Sequence, residues 1–133
     1  MPAHDEAAFI GPALREVAEG MKSRGPFEIV VVENGSTDDT AEVAKALTPD
    51  IPELRVLSLG APDYGKALRM GFLAAEGEIA AFFDVDYFDL GFLDRAVALI
   101  EAPGGPAIVV GSKRGEGALD TRPWPRRMVT LVF

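Results

Sequence analysis

Two aspartates two residues apart are the strongest chemical signal in this sequence. Asp84 and Asp86 flank Val85, directly after the apolar run Ile79-Ala80-Ala81-Phe82-Phe83. Two carboxylates at the end of a strand can both face a ligand, because the chain leaves regular pleating there. As neighbouring anions they repel, so something cationic should compensate them. Their hard oxygens suit Mg2+ or Mn2+, with phosphate oxygens and water completing an octahedron. A plainer role stands beside this one. Acids ahead of a helix cap its first turn, and Asp89 before Leu90 could do that alone.

Other polar segments also follow apolar runs. In Glu33-Asn34-Gly35-Ser36-Thr37-Asp38-Asp39-Thr40, Gly35 permits a tight or left-handed bend. Glu33 or Asn34 could hydrogen-bond a ribose or a base edge, while Ser36 or Thr37 could cap the next helix. Asp63-Tyr64-Gly65-Lys66 opens another helix. A helix N-terminus with a lysine suits a phosphate or an electron-rich base edge, although the spacing is not that of a P-loop, and a solvated lysine is the alternative. Gly111-Ser112-Lys113-Arg114 and Arg122-Pro123-Trp124-Pro125-Arg126-Arg127 form a basic stretch. Arginine forks suit diphosphate oxygens, or the stretch pairs with the acidic body. His4 is the only histidine and there is no cysteine, so a histidine metal site or triad finds no companions.

The elements that must position these segments show as two alternating periods. Ile10, Leu14, Val17 and Met21 recur at helical spacing and predict a helix over about 6–24. Phe27 to Val32 is a continuous β-branched run, as in a strand buried on both faces. A helix from Ser36 or Thr37 to Leu47, a strand over 54–59 and a helix over 65–75 follow. The spacing then predicts a strand over 78–83, a helix over 90–101 and a strand over 106–111. Strands alternating with helices imply an α/β fold with a mostly parallel sheet and helices on both faces. Right-handed crossovers put the loops after the strands on one rim, where ligands of such sheets bind.

Composition bounds the rest. The 133 residues fit a single domain, and 48% are hydrophobic, enough for a core. A net charge of −8 argues against general nucleic-acid binding. The bases gather late, between Lys113 and Arg127, which suggests a local anion site. The start at Met1-Pro2-Ala3-His4-Asp5-Glu6 has no basic region or apolar run, so it does not read as a signal peptide. No segment reaches the roughly 18 apolar residues of a membrane span. The expected location is the cytoplasm.

The order of the motifs is more specific than any one of them. Pro2 to Glu6, Glu33 to Asp38, Gly65-Lys66-Ala67-Leu68, Asp84-Val85-Asp86 and Gly111 to Arg114 together resemble the family 2 glycosyltransferases of the GT-A fold, and most of all the dolichol- or polyprenyl-phosphate sugar transferases. The resemblance covers nearly the whole chain. It implies a Rossmann-like GT-A domain over residues 1–133 that binds a nucleotide sugar. Pro2, Ala3, His4 and Glu6 would line the nucleotide pocket. Glu33 and Asn34 would serve the base and ribose, and Gly65 and Lys66 would lie over the base. Asp84, Val85 and Asp86 would meet the ribose and hold Mg2+ or Mn2+ on the diphosphate. Ser112, Lys113, Arg114, Arg126 and Arg127 would reach phosphates. Catalytic roles would fall to Asp86, Arg114 and Arg127.

The sequence departs from the pattern at several points. His4 replaces a usual tyrosine, Glu33-Asn34 a usual Asp-Asp, and Lys113 a usual arginine. Phe88 stands where the lipid-phosphate branch often has glutamine. Met1 stands where relatives have a central apolar strand, so the expected fold lacks the first strand and is truncated at both ends. The gap in the sheet would favour pairing between copies of the chain.

The expected reaction is inverting transfer of a sugar from a UDP- or GDP-linked donor. The acceptor would be a polyprenyl phosphate at a membrane surface or a sugar hydroxyl. One rival is a non-catalytic fragment that binds a nucleotide or a partner. A remoter rival is a phosphatase of the haloacid dehalogenase type, which carries an Asp-x-Asp pair after its first strand.

Overall fold

The computed structural model describes residues 1–111. Within it, the run Ile29-Val30-Val31-Val32-Glu33 forms the middle strand of a three-stranded parallel sheet. β1 is Pro2–Ala3, β2 is Ile29–Glu33 and β3 is Leu54–Ser58, and their order in the sheet is β1-β2-β3. Ile29 stands opposite Leu54, and Glu33 opposite both Ala3 and Ser58. All three strands therefore end on the same rim.

Helices cover both faces, and the period-two alternation of β2 explains how. Ile29 and Val31 point into a core built with Ile10, Leu14 and Val17 of α1 (Ala7–Met21) and Ala44 of α2 (Thr40–Ala46). Ile10 and Leu14, one helical turn apart, are fully buried, each worth about 2 kcal/mol relative to exposure. Val32 is equally buried on the opposite face, against α3 (Tyr64–Ala74). Gly71 of α3 makes the approach close: a Cβ there would stand 3.4 Å from Val32 Cγ2.

Met1–Asp94 and Arg95–Phe133 form separate compact units, with the boundary inside α4 (Leu90–Glu101). The first unit holds the sheet and α1 to α3. The described part of the second is the end of α4 and an irregular stretch to Gly111, in which Ile108 and Val110 are exposed.

The predicted helices and the strands β2 and β3 are present with ends shifted by up to a few residues. Three expectations need correction. Residues 78–83 form no strand, although they are apolar and extended in character. A strand needs a neighbouring edge of comparable length, and the free edge of β1 is two residues long. Residues 106–111 likewise form no strand. Conversely, the start of the chain does contribute to the sheet. Pro2 and Ala3 pair with Val32 and Glu33, and the Val32 amide donates to Met1 O at 2.9 Å.

Candidate functional site

The carboxyl ends of β1 and β2 lead into two loops that hydrogen bonds tie together. Asp5 N–H donates to Ser36 Oγ, Glu6 N–H to Thr40 Oγ1 at 2.8 Å, and Ala7 N–H to Asp38 Oδ2. In return Asp5 Oδ1 accepts from Thr37 N–H at 2.7 Å. These bonds satisfy amides at the start of α1 that no helical carbonyl reaches. Ser36 and Thr37 thus bind the neighbouring loop and do not cap α2, whose preceding residue Asp39 makes no side-chain cap. Asp5 sits at φ 54, the left-handed region that Asn and Asp tolerate best among residues with a Cβ.

Glu33 and Asn34 diverge. Glu33 is buried, and its carboxylate accepts from Ser36 N–H and from Ser58 Oγ at 2.7 Å. Burial pushes its pKa up, but the bonds from the Ser36 amide and the serine hydroxyls outweigh that and hold it below the ordinary value. Asn34 is also buried but lies at the cleft, with Oδ1 accepting from Asp63 N–H at 2.7 Å. That bond ties the start of α3 to the end of β2. Gly35 makes the turn between them possible. Its φ is +68, and a Cβ there would stand 2.7 Å from the Ala61–Pro62 backbone.

The Asp84–Asp86 segment reaches the same rim without belonging to any strand. Val85 is buried among the apolar core residues of the first unit, so the residues on either side are carried to the surface. Phe88 packs against that core. At the position where the lipid-phosphate branch often has glutamine, this chain therefore has a packing residue. Asp89 caps α4 as expected, its Oδ1 accepting from Phe92 N–H at 2.8 Å.

Together these residues line an open cleft of about 130 Å3: Pro2, Ala3, His4, Glu6, Asn34, Tyr64, Asp84, Val85 and Asp86. Eight of the expected site residues meet there. Tyr64 is the addition that sequence reasoning missed. Its only signal was its place beside Gly65-Lys66 at the start of a helix that follows a strand. Its hydroxyl donates to Asp84 Oδ1 at 3.1 Å. Glu33 lies behind the lining, holding the turn. Gly65 and Lys66 stand beside Tyr64 on α3 but do not line the cleft, and Lys66 Nζ pairs with Asp63 at 3.0 Å. Ser112, Lys113, Arg114, Arg126 and Arg127 lie outside the described residues.

The cleft is acidic. Burial raises the pKa of Glu6, and the charges of Asp86, Asp38 and Asp84 raise it further. That is the field a divalent cation would neutralise. Among the described residues no group of three or more His, Cys, Asp or Glu side chains could hold a metal on its own. Mg2+, however, is commonly held by one or two carboxylates plus substrate phosphates and water. Asp84 and Asp86 fit that demand. The pair follows β3 and α3, whereas the phosphatase alternative requires it after the first strand.

Comparison with known proteins agrees with this arrangement. A family model described as Glycosyl transferase family 2 matches residues 1–132. The chain is 37% identical over 108 residues to an uncharacterized glycosyltransferase of Mycobacterium tuberculosis, covering 80% of this chain and 46% of the relative. It is 30% identical over 149 residues to a dolichyl-phosphate beta-glucosyltransferase of Trichomonas vaginalis, covering 100% of this chain and 43% of the relative. It is 34% identical over 138 residues to a glycosyltransferase of Haloferax volcanii, covering 100% and 22%. The chain thus spans less than half the length of each of these relatives.

Proposed function

The chain belongs to glycosyl transferase family 2, and from that premise we propose that its rim cleft binds part of a nucleoside-diphosphate sugar, UDP- or GDP-linked. The reaction is transfer of the sugar to a polyprenyl phosphate with inversion. The observation that carries this reading is convergence. Residues from the end of β1, the end of β2, the start of α3 and the Asp84–Asp86 segment line one cleft. At about 130 Å3 the cleft is smaller than the roughly 300–1,000 Å3 of typical ligand pockets, so it takes one portion of the donor.

In this reading Asp84 and Asp86 hold Mg2+ or Mn2+, which when bound neutralises charge on the departing diphosphate. Asn34, His4 and the Pro2–Ala3 backbone orient the nucleoside. Ser112, Lys113, Arg114, Arg126 and Arg127 add phosphate contacts, an assignment that rests on the motif resemblance. Their cations would stabilise negative charge as it develops. A lipid phosphate brings its own oxyanion as nucleophile, so no protein base is needed. A hydroxyl acceptor would require one. The relative named as a dolichyl-phosphate beta-glucosyltransferase favours the lipid acceptor. Work at a cytoplasmic membrane surface follows from that choice. Among the described residues no helix is long and apolar enough to cross a membrane.

Calorimetric titration with UDP and GDP, with and without Mn2+, tests the reading. Tighter binding of one of them in the presence of Mn2+ is expected, and the Asp84→Asn and Asp86→Asn variants should abolish the Mn2+ dependence. No metal-dependent binding of either nucleotide would overturn it. Binding without sugar transfer or donor hydrolysis would assign the chain to the non-catalytic alternative.

A further inference from the structure

Asp84 lies in a stretch that has no strand partner, so no β-ladder fixes its side chain. Two contacts do the holding. Val85 anchors the backbone in the core. The Tyr64 hydroxyl, from the first turn of α3, donates to Asp84 Oδ1 at 3.1 Å. Tyr64 is itself held at both ends. Its ring stands edge-on to Phe82, with centroids 6.4 Å apart and planes at 86°. Its backbone follows Asp63, whose amide is bound by Asn34 and whose carboxylate caps α3 by accepting from Lys66 N–H. The chain therefore runs from the end of β2 through Asn34 and Asp63 to Tyr64, and from there to Asp84.

We propose that Tyr64 is a positioning residue for the donor–metal site: its hydroxyl takes one oxygen of Asp84 and so turns the other toward the cation and diphosphate. This rests on the reading of the cleft given above. The physical basis is general. A carboxylate that ligates a metal is commonly oriented by a hydrogen bond from a neighbouring side chain, and removing that partner weakens metal binding by about 10- to 100-fold. Tyr64 has a geometry suited to the task, because a ring wedged against Phe82 delivers the hydroxyl with little conformational freedom.

The closing experiment combines two measurements on the full chain. First, with tyrosine labelled at Cζ, the Tyr64 resonance is followed by NMR at neutral pH, assigned with a Tyr87→Phe variant. Asp84→Ala should shift it, because the hydroxyl loses its acceptor. An unchanged resonance would overturn the contact and the proposal. Second, calorimetry with UDP and GDP compares wild type with Tyr64→Phe, which keeps the ring and removes the hydroxyl. The expected result is about a tenfold loss of affinity with Mn2+ present, with metal-free affinity and Tm unchanged. A purely structural role would lower all three together, and that outcome would overturn the proposal, as would Tyr64→Phe binding like wild type. Wild type without any metal-dependent binding would instead overturn the reading of the cleft, and the role of Tyr64 with it.

Discussion

The two sides of the cleft are built differently. One side, the loops after β1 and β2, is a mesh of short polar bonds. Asp5, Glu6 and Ala7 bond to Ser36, Thr37, Asp38 and Thr40, and Glu33 closes the turn from behind. The other side, the stretch carrying Asp84 and Asp86, has no ladder and depends on one buried valine and one tyrosine hydroxyl. The first side is organised before any ligand arrives, which lowers the ordering cost of binding. The second holds its charges on two anchors, so its geometry responds to single substitutions.

That contrast can be broken from the rigid side. Gly35→Ala places a Cβ 2.7 Å from the Ala61–Pro62 backbone at a φ of +68. Strain in the left-handed region and the clash together should cost about 3 kcal/mol, read by denaturant unfolding. A loss below half that size would show that the turn yields and that this side is less fixed than its bonds suggest.

Glu33→Ala is the next largest. It leaves the Ser36 amide and Ser58 hydroxyl without their buried acceptor and should cost about 2 kcal/mol at neutral pH. The loss should depend on pH. Because the Glu33 pKa is held below its ordinary 4.5, its contribution is complete above that value and fades as pH falls through the depressed folded value. Unfolding curves of wild type and variant should therefore converge in acid. Curves that stay parallel would deny the carboxylate its role.

Val85→Ala probes the other side. Two buried methyl groups are worth about 1.5 kcal/mol, a modest change in stability. Metal-dependent nucleotide affinity should fall by a larger factor than the folding constant does at any rim position remote from the pair. Equal binding by Val85→Ala and wild type would mean that the valine does not anchor Asp84 and Asp86.

The smallest effect contrasts in sign with Glu33. The Glu6 pKa is raised by burial and by Asp86, Asp38 and Asp84. Its ionisation therefore opposes folding as pH rises from 4.5 through the raised folded value. Glu6→Gln should slightly raise Tm above that window and leave it unchanged below. Mn2+ should shrink the gain, since the cation offsets the same repulsion. A lower Tm at neutral pH would show that the cleft carboxylate is already compensated.

Much of this arrangement was legible along the chain. The helical repeat of Ile10, Leu14 and Val17, the β-branched run of β2, the bend at Gly35 and the cap at Asp89 depend on near neighbours, and each stands as the residue pattern implied. The order of the motifs placed Pro2 to Glu6, Asn34 and Asp84 to Asp86 on one rim, because parallel crossovers bring every strand end to the same edge.

Tertiary structure decided what residues distant in sequence do to one another. Residues 78–83 carry the local pattern of a strand, yet pairing depends on the length of an edge that another segment supplies, and β1 offers two residues. Glu33 and Asn34 are adjacent and similarly polar, but Ser58 draws the first inward, while Asp63 holds the second at the cleft. Tyr64 and Asp84 lie 20 positions apart, and only the packing of α3 against β1 and β2 brings hydroxyl and carboxylate together. Local patterning specifies which elements form and in what order, whereas the orientation of a carboxylate at the rim is a property of the partners that folding delivers to it.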